Sequence, residues 1–404
     1  MNRSGAAPTP WLAVGAAALC GVAGAMNVGK VPLALPLLRQ ELGLSLVQAG
    51  WVQSALNTVA VTLATVIGLQ VGRFGALRLV LAGLLLGAAA SLASLAHANG
   101  SWLLACRVVE GAGFVAVAVA GPALISAAAA DRDRRFALGV WSGYLPAGVG
   151  LAMAGAPWLL PAAGWRGLWV ATAGALLAAA ALTWSQRRHY ALPPATAPSA
   201  GGGIAALRQP LPWLLGLCFG AWTVQHFALI VWLPTFLIEQ RGLATGPVVA
   251  LSCVMVLANV PGNLLGGALL QRGLPRGLLL AVAQGCTGLC AIGLFSEALP
   301  DGLRYALCVF LSFIGGLIPS SVMSSSARLA HTPQQIGTLQ GLYMQCGQMG
   351  QFVGTPLIAA VVSASGQWSS ARWVMAGAAG LGLVLALTVG RAESGAARRA
   401  ATAA

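Results

Sequence analysis

The chain is a succession of long apolar runs separated by short polar segments. A helix needs about 20 residues to cross the roughly 30 Å hydrocarbon layer of a membrane. Runs of at least about that length lie at 11–37, 46–71, 77–97, 101–128, 137–160, 166–185, 211–238, 247–271, 277–296, 302–327, 337–363 and 372–391. They are continuous rather than alternating with period two, so they predict helices and not barrel strands. The predicted fold is an all-α integral membrane protein with twelve transmembrane helices. The first run is too long for the apolar part of a signal peptide and has no convincing cleavage site, so it reads as an uncleaved span.

The longest polar stretch, QRRHYALPPATAPSAGGGIAALRQP at 186–210, is rich in Pro, Ser and Gly and reads as a flexible linker. It divides the chain into a six-helix bundle at 1–185 and a second at 211–391, with a tail at 392–404. The two parts echo each other. Gly68 and Arg73 match Gly267 and Arg272 in spacing, and Gly139, Trp141 and Gly148 match Gly341, Tyr343 and Gly350. Two pseudo-symmetric six-helix bundles are the pattern of a repeat-built transporter.

Composition sharpens this reading. Of 404 residues 58% are hydrophobic and 7% charged, against about 25% charged in an ordinary soluble domain. The same composition excludes intrinsic disorder. The 53 glycines suit close helix approach in a membrane. The formal charge of +14 suggests nucleic acid until the basic residues are placed. With the N-terminus inside, one side holds Arg3, Arg73, Arg78, Arg132, Arg134, Arg135, Arg187, Arg188, Arg208, Arg272, Arg276, Arg328, Arg391, Arg398 and Arg399. The other holds only Arg39, Arg166, Arg241, Arg304 and Arg372. Basic residues collect on the cytoplasmic side of membrane proteins, so both termini are expected in the cytoplasm and the charge is a topology signal. The expected partners are the lipid bilayer and a small-molecule substrate, with no nucleic acid.

The segment GLQVGRFGALR at 68–78 resembles the signature of the major facilitator superfamily between its second and third spans, carried here by Gly68, Arg73, Gly75 and Arg78. Gly72 stands where that family usually has an aspartate, so the aspartate's charge-relay role is not carried over. RVVEGAGFVA at 107–116 is similar to the family's Arg-x-x-Gln-Gly pattern with Glu110 in place of glutamine, and GWRGLW at 164–169 is another frequent family element. VWSGYLPAGVGLAMAGAPWL at 140–159 is similar to the cyanate and nitroimidazole branch. The resemblance covers essentially the whole chain. It implies a transporter of the cytoplasmic (inner) membrane that works by alternating access, a central cavity lined by spans one and four, and function as a monomer.

Ionisable residues inside a membrane are costly, which makes each a functional candidate. Three lie well within spans: Lys30, the only lysine, together with Arg107 and Glu110. Lys30 is placed to hold an anionic substrate group or to exchange a proton; the alternative is snorkelling to the interface. Arg107 and Glu110 are three apart on one helix face and form either a neutralising structural pair or a site where Glu110 carries a coupling proton. Asn27, Asn57, Trp141 and Tyr144 are further lining candidates.

The second half offers polar stripes without charge. Trp222, Gln225 and His226 lie within one helical turn, and Gln340, Met344, Gly347, Gln348 and Gln351 share one face of a helix. Such a face can bind a polar solute or pack between helices. His226 is either a proton shuttle or a satisfied interhelical group.

Other signals lead nowhere. GAMNVGKV at 24–31 lacks the Ser or Thr and the strand–loop–helix setting of a phosphate-binding loop. The eight cysteines show neither CxxC pairs nor a histidine cluster, so no metal or cofactor is expected. Asn99-Gly100-Ser101 fits a glycosylation acceptor of low specificity, in a very short loop. No nucleophile–base arrangement points to an enzyme. The expected function is secondary transport of a small anionic or polar solute, by symport or antiport and with protons as a candidate coupling ion. Lys30, Asn27, Arg107, Asn57, Tyr144, Gln225, His226, Gln340 and Gln348 are the candidate substrate contacts. A toxic-compound exporter of the same fold is the alternative; a membrane-embedded enzyme and a non-transporting sensor are the readings from other classes.

Overall fold

The computed structural model describes residues 8–130, 132–133, 137–138, 140–141, 143–190, 202–330 and 333–403. Among the described residues every regular element is a helix. The first part of the chain forms α1 (Trp11–Leu42), α2 (Leu46–Ser54), α3 (Thr58–Phe74), α4 (Ala76–Ala93), α5 (Gly100–Ala128) and α6 (Tyr144–Ser185). The rest forms α7 (Gly202–Leu207), α8 (Pro210–Glu239), α9 (Thr245–Leu257), α10 (Asn259–Gln271), α11 (Arg276–Leu294), α12 (Asp301–Gly315), α13 (Leu317–Met323), α14 (Ser326–Leu329), α15 (Pro333–Ser365) and α16 (Ala371–Ala403).

Among the described residues nine helical stretches are long and apolar enough to cross a membrane. Twelve spans remain consistent with the structure. At 1.5 Å per residue α6 alone would run to about 63 Å, twice the hydrocarbon thickness. It is broken at Ala163 and Gly164, and Gly164 has φ +59°, a conformation that a side chain would strain. The expected spans five and six are therefore two helices that meet at a sharp corner. The second, eighth and tenth expected spans are each interrupted, by a 3-10 turn at Ala55–Asn57, at Ala258 and at Gly316. Membrane helices tolerate such breaks where neighbouring helices satisfy the released backbone groups.

The helices before residue 190 pack chiefly on one another, α1 against α6 and α5, and α4 against α5. Those after residue 210 do the same, α8 against α15 and α16, and α11 against α16. The repeat spacing seen in the sequence has a packing counterpart. A Cβ on Gly148 would strike the Val22 carbonyl, and one on Gly350 would strike the Gly220 carbonyl. A Cβ on Gly111 would likewise meet the Leu56 carbonyl, and one on Gly316 the Asn259 carbonyl. Backbones approach this closely only where the intervening residue has no side chain.

Contacts between the two groups run from the end that carries Arg39 to about mid-depth. Arg39 pairs with Glu239 at the rim. Below it Trp51 meets Phe352 edge-on at 5.3 Å, and Gly50 lies against Pro356. Deeper still, Gln345 Nε2 donates to the Val61 carbonyl at 2.6 Å. The outside of the assembly is apolar: Trp158 is 74% exposed, Leu289 72% and Leu264 70%. Such a surface needs lipid rather than water against it.

Candidate functional site

The three intramembrane ions of the first half converge in one buried cluster. Lys30 comes from α1, Arg107 and Glu110 from successive turns of α5, and all three are 0% exposed. The Lys30 ammonium donates to Glu110 Oε1 at 2.7 Å, Asn27 Oδ1 at 2.9 Å and Ser91 Oγ at 2.9 Å. Its three hydrogens thus have three acceptors, and it also sits 4.5 Å from the Trp169 ring centroid. The stem does not snorkel to an interface.

Glu110 is held on both oxygens. Oε1 accepts from Lys30 and, at 2.6 Å, from Ser91; Oε2 accepts from Arg107 Nη1. Arg107 further donates from Nη1 to the Asn27 carbonyl at 2.9 Å and from Nε to the Val52 carbonyl at 3.0 Å. Val52 lies one turn before the 3-10 interruption of the second span, where the α-helical ladder is broken and the guanidinium provides a donor. Arg107 Nη2 is buried and has no hydrogen-bond partner.

The cluster therefore sets two cationic side chains against one carboxylate, with no water-exposed edge. Isolated charges in a low-dielectric interior are strongly unfavourable, and pairing removes the penalty only when charges balance. Arg107 and Glu110 pair as the helix spacing suggests, with Lys30 as a third member. Ser91 and Trp169 were not candidates from the sequence. Ser91 is the one serine of α4, and Trp169 follows Trp165 by one helical turn; these were the available signals.

A neutral cluster occupies the second half. His226 stacks on Trp222 at 4.7 Å and 15°, and its Nε2 lies 2.9 Å from Ser312 Oγ. Asn259 Nδ2 donates to the Ser312 carbonyl beside the interruption of the tenth span. Gln225 Nε2 donates to Gln284 Oε1 at 3.3 Å. Three buried polar atoms here lack partners: Trp222 Nε1, Gln225 Oε1 and His226 Nδ1.

The remaining candidates scatter. Gln348 is buried with Oε1 unpartnered, whereas Gln340 donates to the Met323 carbonyl and Ser326 Oγ at the far end of α15. Asn57 is buried in the 3-10 turn. Tyr144 and Trp141 lie with ring centroids 4.6 Å apart and planes tilted by 30°, and the Trp141 ring and the Tyr144 Cβ lie against Gly21, so this pair packs on α1. Gly75 begins α4 with φ +82° and Arg78 is exposed. Gly68 and Arg73 belong to α3, but their side chains lie outside the described residues, as do residues 191–201 of the linker.

Comparison with known proteins adds the following. A family model described as Major Facilitator Superfamily matches residues 17–355. The chain is 26% identical over 364 residues to the 3-(3-hydroxy-phenyl)propionate transporter of Escherichia coli (strain K12), covering 88% of this chain and 87% of that one. It is 28% identical over 167 residues to the 2-nitroimidazole transporter of the same organism, 40% of each chain. Among solved structures it is similar to a bacterial homologue of the human lysosomal transporter Spinster. The inward-facing, unoccupied form gives a TM-score of 0.77 at 15% identity over 95% of this chain and 98% of that one. The inward-facing, occupied form gives 0.76 at 17% identity over 96% and 98%.

Proposed function

The chain belongs to the major facilitator superfamily and is a multi-pass membrane transporter, and we propose that its cargo is a small monoanion, with an aromatic monocarboxylate as the leading case. The observation that carries this reading is the charge count of the buried cluster. Lys30 and Arg107 face Glu110 alone, and Arg107 Nη2 has no partner. A carboxylate placed at that guanidinium would balance the charges and satisfy the free donor. The 26% identical relative is named for an aromatic propionate, which supports the same class.

The neutral cluster complements this assignment. Gln225 Oε1 and Gln348 Oε1 are free acceptors and Trp222 Nε1 a free donor, suited to hydroxyl or ring substituents at the uncharged end of a solute. Alternating access would rock the two bundles, 1–185 and 211–391, about this pair of clusters, with Gly68, Arg73, Gly75 and Arg78 at the corner between α3 and α4. Both termini then face the cytoplasm, and the Arg39–Glu239 end faces outward. Coupling to protons resides in the charged cluster.

The test is equilibrium binding to purified protein of 3-phenylpropionate, 3-(3-hydroxyphenyl)propionate and the uncharged 3-phenylpropanol. Carboxylates should bind at least ~10-fold more tightly than the alcohol, a difference of about 1.4 kcal/mol. Lys30→Ala should abolish that preference. Equal binding of acid and alcohol would overturn the reading. The second reading is transport of a neutral heteroaromatic compound, favoured by the 28% identity to the 2-nitroimidazole transporter. Under it 2-nitroimidazole binds and Lys30→Ala has no effect.

A further inference from the structure

Transport by rocking requires the buried cluster to pass between two facings without carrying an unbalanced charge through the low-dielectric interior. With Lys30, Arg107 and Glu110 all ionised, the cluster is positive by one. A bound monoanion brings it to zero. The empty cluster can also reach zero, but only by losing one proton.

Of the three groups, Arg107 keeps its proton at any accessible pH. Glu110 has none to lose while it accepts from Lys30, Ser91 and Arg107 across both oxygens. Protonating Glu110 would moreover move the cluster from positive one to positive two. Lys30 is the remaining group, and its loss of a proton leaves a neutral Arg107–Glu110 pair. Its surroundings accommodate the amine: the Ser91 hydroxyl, 2.9 Å away, can turn from Glu110 Oε1 to donate to the lone pair.

We propose that Lys30 is the proton carrier of this transporter and that Glu110 is a fixed counter-charge. This inference rests on the reading that a monoanion binds at the cluster. The ammonium form holds the anion; deprotonation to the amine releases the proton and the anion on the same side. Both the loaded cluster (Lys30 charged, anion present) and the empty one (Lys30 neutral, no anion) are electrically neutral. The half-loaded forms carry a unit charge and do not cross. One proton therefore accompanies one monocarboxylate, and transport is electroneutral symport.

Among the described residues, the following groups face Lys30. From α5 they are Glu110, Arg107 and the Cys106 thiol; from α4, Ser91; from α6, the Trp169 ring. α2 holds no titratable side chain. α8 carries Cys218, His226 and Glu239, of which His226 bonds to Ser312 and Glu239 pairs with Arg39.

Because Lys30 is the only lysine of the chain, lysine labelled with nitrogen-15 at Nζ gives one side-chain resonance from the unmodified protein. In the ligand-free protein that resonance should move from the ammonium to the amine position as pH rises through the range in which transport operates. Saturating 3-phenylpropionate should return it to the ammonium position, with uptake of one proton per carboxylate bound. Lys30→Arg, permanently charged, should keep binding 3-phenylpropionate, take up no proton on binding, and lose accumulation driven by a pH gradient in proteoliposomes. A Lys30 resonance fixed at the ammonium position across that pH range overturns the proposal. So does gradient-driven accumulation by Lys30→Arg. The titration of the ligand-free protein needs no substrate, so failure of 3-phenylpropionate to bind sinks the monoanion reading without being mistaken for a result on Lys30.

Discussion

The two halves of the molecule place polar clusters on corresponding helices, α1 and α8, yet treat them differently. In the first half Lys30, Glu110 and Arg107 are ionic and, apart from Arg107 Nη2, hydrogen-bonded at every site discussed. In the second half Trp222, Gln225 and His226 are neutral and leave three buried atoms unpaired. The difference follows from magnitude. An unpaired neutral group costs about 1–3 kcal/mol on burial, whereas an unpaired ion costs several times more. Neutral polar atoms can wait for a ligand; ions must be held by permanent partners and leave at most one direction free. The Lys30–Arg107–Glu110 triad thus stores charge, and the Trp222–Gln225–His226 cluster offers open hydrogen bonds.

The contrast is broken most directly at Glu110. Glu110→Ala removes the one carboxylate that Lys30 and Arg107 share, and the expected loss is about 3–5 kcal/mol of stability. Thermal unfolding in detergent measures it. Lys30→Met added to Glu110→Ala should recover part of the loss, because it removes a buried amine that has lost its carboxylate partner. A double variant no more stable than the single would show that the ionic account of this half is wrong.

Packing should respond alike in both halves, in contrast to charge. Gly148 and Gly350 each lie against a backbone carbonyl of the neighbouring helix, Val22 and Gly220. Overpacking at such a contact costs about 1–3 kcal/mol. Gly148→Val and Gly350→Val should therefore lower the unfolding temperature by similar amounts. A large loss at one and none at the other would mean that the repeat visible in the sequence is not a repeat in the packing.

In the neutral cluster the effect is smaller. His226→Phe keeps the stack on Trp222 and removes the bond to Ser312, at a cost of about 1 kcal/mol. Binding of a hydroxylated aromatic acid should weaken more than binding of its unsubstituted parent. Equal weakening of the two, measured by titration, would take the cluster out of the solute site.

These expectations depend on features of unequal legibility in the sequence. The spans were readable because membrane thickness fixes their length, and Lys30, Arg107 and Glu110 stood out because charge inside a span is rare. Their convergence was only half readable. Arg107 and Glu110 share a helix face by spacing, but Lys30 meets Glu110 across 80 positions of chain, and nothing local encodes that contact. Ser91 and Trp169 were missed because serine and tryptophan are ordinary in membrane helices, and only the lysine between them gives them meaning. At Tyr144 an aromatic in a span suggested a cavity wall, and the contact that sequence could not give is its Cβ against Gly21 of α1. The break at Ala163 and Gly164 falls in the gap left between the expected spans at 137–160 and 166–185, but the positive φ that makes its corner leaves no trace in hydropathy.

The smallest effect is expected at the rim, where the two halves meet through Arg39 and Glu239. Their side chains are 26% and 38% exposed, so solvent screens the pair and its worth is at most about 1 kcal/mol. Arg39→Ala should leave the unfolding temperature nearly unchanged. The pair nevertheless joins the two groups of helices, so it stabilises one facing of the transporter and not the other. A bias of 0.5–1 kcal/mol corresponds to about a two- to five-fold change in the ratio of facings. Cysteine-free protein with a single reporter cysteine beside Gly50, labelled from the Arg39 end, should react faster by about that factor in Arg39→Ala. Raising the ionic strength should reproduce the effect in the parent protein and add little in the variant, because both remove the same interaction. A labelling rate unchanged by both treatments would mean that the halves are held together by Gly50 against Pro356 and Trp51 against Phe352, by packing instead of charge.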